Sequence, residues 1–157
     1  MVEVRFVDTS VLCNLLAIPG KCQREEEVRA ELDQLVSAGV QLILPIATII
    51  ETGNHIVQVG DGHARRRCAS SFVELLRATA EGALPWVVHA VAGDERMILL
   101  LCEGSRNTGS FVEVAAAGVL GAGDVAILAE RDMFARRTAA LHVGVWTHDA
   151  RLAAYAG

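Results

Sequence analysis

The sequence predicts one α/β domain, residues 1–157, built on a mostly parallel central sheet flanked by helices. Three observations lead there. Short runs of strand character (2–7, 40–44 and 143–147) alternate with longer segments of helical periodicity, the pattern of strands joined by helical crossovers. A length of 157 residues suits one ordinary core and leaves no room for two with a linker. Hydrophobic residues make up 52% and charged residues 21%, which supplies apolar surface for that core and excludes disorder.

The elements follow in chain order. VEVRFV at 2–7 alternates and then turns apolar, a short strand ending at Asp8. Thr9 and Ser10 open a short helix that runs through Leu16 and stops at Pro19-Gly20. From Gln23 to Ala38, Val28, Leu32, Leu35 and Val36 recur with helical spacing, so this segment is an amphipathic helix. Glu25, Glu26 and Glu27 stand in its first turn, where carboxylates oppose the positive helix end, a capping role and not a catalytic one. Gly39 ends it, and Val40–Leu44 is a second, buried strand.

Pro45 stands where helices begin, and 46–59 reads as a helix carrying Glu51 and Asn54. A longer helix spans roughly 63–81 with Cys68, Phe72, Leu75, Leu76 and Thr79 on one face. WVVHAV at 86–91 reads equally as a strand or a buried connector, and 93–103 as a helix ended by Gly104. Residues 105–123 are rich in small residues and fit a loop plus a helix. Asp124–Arg137 is a helix with Ile127, Leu128 and Phe134 inward. Val143–Thr147 is a strand, and Asp149 opens a terminal helix reaching Gly157.

Composition excludes several classes. The longest apolar run, 40–50, is interrupted by Gln41 and Pro45 and is far shorter than the roughly 20 residues of a membrane span. MVEVRFVDTS has no basic stretch followed by an apolar one, so no export signal is read and the cytoplasm is the expected location. Cys13, Cys22, Cys68 and Cys102 include no C-x-x-C pair, which fits reduced core thiols better than a zinc site. The histidines (55, 63, 89, 142 and 148) show no H-x-x-x-H spacing. A net charge of −5 is unusual for a nucleic-acid binder unless several acids are gathered in one site.

Four acids stand at telling places. Asp8 and Asp149 follow strands, and in a parallel sheet the carboxyl ends of the strands share one edge, where ligands bind. Glu51 lies inside the helix after the second strand, and Asp124 begins the helix leading to the last. Carboxylates sharing one crevice repel one another unless a cation sits between them, and hard oxygen donors select Mg²⁺ or Mn²⁺. Helix capping accounts for Asp8, Asp124 and Asp149 equally well when each is taken singly. Glu51 resists that account; inside an apolar helix it needs a partner, an arginine or a metal ion.

Taken together, the four segments resemble the PIN-domain nucleases, and the compact VapC-type toxin ribonucleases most of all. F-V-D-T-S-V-L at 6–12 is similar to the family's opening strand and first acid, Asp8. L-P-I-A-T-I-I-E-T-G-N at 44–54 is similar to its second element, with Glu51 as the helical acid. G-A-G-D-V-A-I-L-A at 121–129 matches the third, with Asp124, and T-H-D-A-R-L at 147–152 the fourth, with Asp149. The stretch 86–120 is longer than the family's usual middle region. The resemblance implies a single PIN-like domain that hydrolyses RNA phosphodiesters with Mg²⁺ or Mn²⁺ held by Asp8, Glu51, Asp124 and Asp149, which serve as both metal ligands and catalytic acids. It further implies a homodimer and, for a toxin, an antitoxin protein as partner.

Neighbouring residues fit that site. Ser10 and Thr147 could hold the flanking carboxylates, although Ser10 equally suits a local cap and Thr147 a strand filler. Asn54, one turn after Glu51, faces either the crevice or solvent. Arg65, Arg66 and Arg67 are the only dense cationic run and read as RNA-phosphate contacts or as a solvated helix face. Other chemistries lack their residues. A haloacid-dehalogenase-type phosphatase needs an Asp where Ser10 stands, a receiver domain needs a late lysine, and the sole lysine is Lys21. No P-loop is present. The glycines at 118, 121 and 123 have the wrong order for a dinucleotide fingerprint. The rivals are a PIN-like scaffold without activity, and a PIN nuclease of RNA processing or defence.

Overall fold

Glu3–Val7 (β1), Gln41–Leu44 (β2), Trp86–Val88 (β3) and His142–Trp146 (β4) form one sheet in a computed structural model that describes residues 2–89, 95–138 and 142–157. Every pairing is parallel and the order is β3-β2-β1-β4. Phe6 of β1 lies opposite Ile43 on one side and Val145 on the other. Eight helices are found among the described residues: α1 Thr9–Leu15, α2 Glu25–Ser37, α3 Ile46–Val57, α4 Gly62–Ala80, α5 Glu95–Glu103, α6 Phe111–Ala116, α7 Ala122–Arg137 and α8 Ala150–Ala153. None is long and apolar enough to cross a membrane.

Alternation along the strands divides the core in two. Val4, Phe6, Ile43 and Val145 pack against Val125, Ile127 and Leu128 of α7 and Leu152 of α8. Val7, Leu42, Leu44, Trp86 and Trp146 pack against Val11 and Leu12 of α1 and Val28 of α2. Covering both faces is what an all-parallel sheet requires. A third cluster of Cys13, Ile18, Ile56 and Cys68 joins α1, α3 and α4 beyond the sheet.

The expected elements are found with several corrections. Residues 86–88 are a strand and not a buried connector; Trp86 is buried while Val87 and Val88 are exposed, as an edge strand allows. Residues 90–91 and 93–94 of the anticipated segments lie outside the described residues. Val36 on α2 is exposed, so the buried stripe of that helix ends at Leu35. The terminal helix is only four residues long; the chain then folds back so that the Val145 N–H donates to the Ala156 carbonyl at 3.0 Å. Cys13 and Cys68 are core thiols, but Cys22 is half-buried and Cys102 exposed. The long middle stretch holds α5 and α6, with α5 packed on α7.

The strand order creates the crevice. From β1 the chain steps through β2 to β3 on one side, then returns past β1 to lay down β4 on the other. β1 leads into α1 on one face of the sheet, while β4 leads into α8 on the opposite face. The two connections diverge and leave a gap above the carboxyl ends of β1 and β4, where α/β sheets bind ligands.

Candidate functional site

All four acids line one cavity of about 440 Å³ at this switch point. Asp8 continues β1: its N–H donates to the Trp146 carbonyl at 3.0 Å, and it serves as the N-cap of α1. Its Oδ2 accepts from Ser10 Oγ (2.8 Å), Thr147 Oγ1 (2.7 Å) and the Ser10 N–H (3.3 Å). Ser10 and Thr147 thus both bond the Asp8 carboxylate, and each accepts a further bond. Ser10 Oγ also accepts from the His148 N–H at 2.9 Å, and Thr147 Oγ1 from the Asp149 N–H at 3.0 Å. The two hydroxyls sew the start of α1 to the turn after β4.

The other oxygen of Asp8 is the telling one. Asp8 is 2% exposed, and its Oδ1 is buried with no hydrogen-bond partner. A carboxylate oxygen in that position costs free energy unless a cation compensates it.

Glu51 reaches the site because α3 is anchored on β1. Thr48 Oγ1 donates to the Val7 carbonyl at 2.8 Å, and Glu51 sits one turn further along the helix. Its partner is neither an arginine nor any other cation: Thr9 Oγ1 donates to Glu51 Oε2 at 2.9 Å. Thr9 escaped the sequence reading because nothing but tertiary contact links positions 9 and 51. Burial, opposed by the Thr9 bond and assisted by Asp8, raises the Glu51 pKa above the ordinary glutamate value.

Asp124 stands at the third position of α7 and not at its N-cap, which is Gly121. Its Oδ2 accepts from the Gly121 N–H at 3.0 Å, so it caps the helix while lining the crevice. The two readings of this residue are compatible. Burial pushes its pKa up to about 6; the Gly121 bond opposes the rise, and Asp8, Glu51 and Asp149 add to it. Gly123 clears the space between α7 and α3, because a Cβ there would fall on the Glu51 carboxylate. Asp149 caps α8 through its Oδ1, which accepts from the N–H groups of Arg151 (2.8 Å) and Leu152 (3.4 Å).

Other expected participants stand elsewhere. Asn54 is exposed and does not line the cavity; the neighbouring His55 does, since four residues and not three return α3 to the face of Glu51. Burial, with Lys21 nearby, lowers the His55 pKa. Arg65, Arg66 and Arg67 are exposed on α4 away from the crevice, and Arg65 donates to the Val59 carbonyl at 2.8 Å. The cations that line the cavity are Lys21, Arg24 and Arg151.

A second cluster lies on the flank of the crevice. Glu27, Glu31 and His148 bring one donor atom each within 4.8 Å of one another, the donor set of a site able to hold a metal ion. Among the described residues no trio of the four crevice acids closes to that spacing. The capping role expected for Glu27 is therefore incomplete. Glu31 Oε2 also accepts from Trp146 Nε1 at 2.8 Å and meets His148 Nε2 at 2.7 Å. The helical spacing of Glu27 and Glu31 is legible in sequence; the approach of His148 is not.

No family model matches the chain, and no curated protein matches it either.

Proposed function

We propose that this protein is a Mg²⁺- or Mn²⁺-dependent ribonuclease of the PIN type. One observation carries the reading: acids from four separate elements meet at the switch point of the sheet, with Asp8 Oδ1 buried and unpartnered. The donor set fits the ion. It consists of carboxylate oxygens, the hard ligands that Mg²⁺ and Mn²⁺ prefer, and Gly123 keeps open the approach of Glu51 to α7.

The chain's own groups provide orientation. Ser10 and Thr147 fix Asp8 through Oδ2, Thr9 fixes Glu51, the Gly121 N–H fixes Asp124, and the first turn of α8 fixes Asp149. These bonds limit how far each carboxylate must reorient when a cation draws the set together. A bound divalent ion supplies charge neutralisation at the scissile phosphate and activates the attacking water. His55 lines the crevice with Glu51, and burial together with Lys21 lowers its pKa, which favours the neutral ring.

Cleavage of a single-stranded RNA with Mg²⁺ or Mn²⁺, against a chelator control, tests the reading. Glu51→Gln keeps the Thr9 contact and removes the charge, and it is expected to cut the rate by several orders of magnitude. Equal residual cleavage by wild type and variant would sink the proposal. A toxin role, with an antitoxin protein as partner, is the narrower form of the same reading; a small reading frame overlapping the upstream end of the gene would support it.

The Glu27–Glu31–His148 trio favours a second reading of where a metal ion sits, because it is the tighter set and its imidazole suits a softer metal such as zinc. Thermal melts separate the two. A metal-induced shift lost in Asp124→Asn assigns the ion to the crevice; one lost only in His148→Ala assigns it to the flank.

A further inference from the structure

The segment between α1 and α2, residues 16–24, forms one wall of the crevice and is built to hold its shape. Ile18 is 1% exposed and plugs the cluster of Cys13, Ile56 and Cys68. Asn14, buried on α1, donates to the Ser10 carbonyl at 2.8 Å and accepts from the Arg24 N–H at 2.9 Å. Gln23 Nε2 donates to the Gly20 carbonyl at 2.7 Å, and Gly20 takes a φ of +81° that suits its lack of a side chain. A loop of this size needs no buried asparagine merely to connect two helices.

What the loop presents is positive charge. Lys21 and Arg24 both line the crevice opposite the acids. The Lys21 ammonium acts on both His55 and Cys13: it adds to the lowering that burial gives His55, and it opposes the rise that burial, Asp8 and Glu51 give the Cys13 thiol. Among the described residues no carboxylate lies within 4.0 Å of Lys21. Arg24 Nη1 lies 3.5 Å from His148 Nδ1 and 3.5 Å from Glu27 Oε2. That last pair is solvent-exposed and weak, so a phosphate can replace it. The lining therefore sets acids on the strand ends and helices beside three cations, two of them, Lys21 and Arg24, on one braced loop and the third, Arg151, on α8.

We propose that loop 16–24 is a phosphate-binding arm for one strand of RNA, with Lys21 and Arg24 contacting phosphates that flank the one over the acids. The inference rests on the ribonuclease reading and adds how the strand is held. Four carboxylates repel a polyanion, and the arm supplies the opposing attraction at the mouth of the same crevice. A concavity of about 440 Å³ is the size of a small-ligand pocket, a scale that suits one unpaired strand better than a duplex.

The test is binding of a short fluorescent single-stranded RNA, followed by anisotropy with Mg²⁺ in a Glu51→Gln background that does not cut it. In that background Lys21→Ala/Arg24→Ala is expected to weaken binding at least tenfold at about 0.05 M salt. The slope of log K against log salt should become shallower by about 1.4, or about 0.7 for each phosphate left without its cation. Lys21→Arg should retain affinity. Arg65→Ala/Arg66→Ala/Arg67→Ala removes more charge from α4 and should leave affinity and slope unchanged. Unchanged binding by the double variant, an equal loss in the α4 triple variant, tighter binding of a duplex, or no RNA binding at all would each overturn the arm. The two proposals fail separately. Cleavage by wild type with unaltered binding by the double variant removes the arm alone. The expected binding pattern with no wild-type cleavage removes the ribonuclease reading alone.

Discussion

Two acids with raised pKa values, half-buried Asp124 and buried Glu130, contribute stability that is lost as pH rises. Asp124 is pushed from 3.8 to about 6, by burial first and then by Asp8, Glu51 and Asp149 against the Gly121 bond. The folded state thus keeps a proton that the unfolded chain releases between those values. In chelator, stability should be full below about pH 3.8 and decline as pH rises through about 6. Asn accepts the same Gly121 bond, so Asp124→Asn should flatten that decline and be as stable as wild type or more so at pH 7. With Mg²⁺ the order should reverse, because wild type gains stability by mass action and the variant gains less. Thermal melts with and without Mg²⁺ give the answer; equal metal-induced shifts would remove Asp124 from the site. Glu130 behaves alike, with burial as its only cause. It is 3% exposed, and burial pushes it to about 7, with His89 Nδ1 3.6 Å away and itself shifted toward the neutral form by burial and by Arg137. Glu130→Gln should raise the Tm at pH 8 by roughly 2–4 °C, the shift that about 1 kcal/mol gives a chain of this size, and leave it unchanged at pH 4. A melt showing the same difference at both pH values would contradict this.

At the scale of elements, the contact between α3 and α7 is the critical junction. A glycine inside a helix ordinarily costs about 1 kcal/mol against alanine, so Gly123→Ala should favour α7 taken alone. The added Cβ falls on the Glu51 carboxylate, however, and must displace it. The variant should remain helical by circular dichroism, yet lose cleavage about as completely as Glu51→Gln. Retained activity would show that Glu51 has another route into the site. The turn after β4 has its own anchor. Glu31 of α2 binds Trp146 and His148 on either side of Thr147, whose hydroxyl holds Asp8. Glu31→Ala leaves the indole N–H of a largely buried tryptophan without its partner, at a cost of about 1–3 kcal/mol. Chemical denaturation would measure that loss, and the loosened turn should lower activity without abolishing it.

For the whole molecule, some apolar surface remains uncovered. Ile50 of α3, Ile98 and Leu99 of α5 and Val112 of α6 are all more than half exposed. Next to the crevice, an apolar groove runs past Ile50, Leu101, Phe111 and Val125. If the chain forms the homodimer expected from its sequence, this apolar area is a surface that the association could bury. Light scattering at micromolar concentration is expected to give twice the chain mass, with Ile98→Glu/Leu99→Glu reverting to the monomer. A monomeric wild type would refute the dimer.

The sequence by itself determined the α/β class, the order of the elements and three of the four strands, because period and turn chemistry are local. It singled out Asp8, Glu51, Asp124 and Asp149 only as a set, since capping accounts for each aspartate alone and Glu51 inside an apolar helix is the one acid that resists it. It also pointed to Ser10 and Thr147, whose hydroxyls lie two residues from their acids. Residues 86–91 were ambiguous because a three-residue edge strand is too short for periodicity to declare itself. Only the tertiary structure decided that Thr9 and not an arginine partners Glu51, and that His55 rather than Asn54 shares its face. Only there do the cations of the crevice prove to be Lys21, Arg24 and Arg151 in place of the dense run on α4. Each of these depends on side chains from distant positions meeting in space. Their meeting is fixed by the order β3-β2-β1-β4, which no single segment encodes and which the packing of both sheet faces enforces.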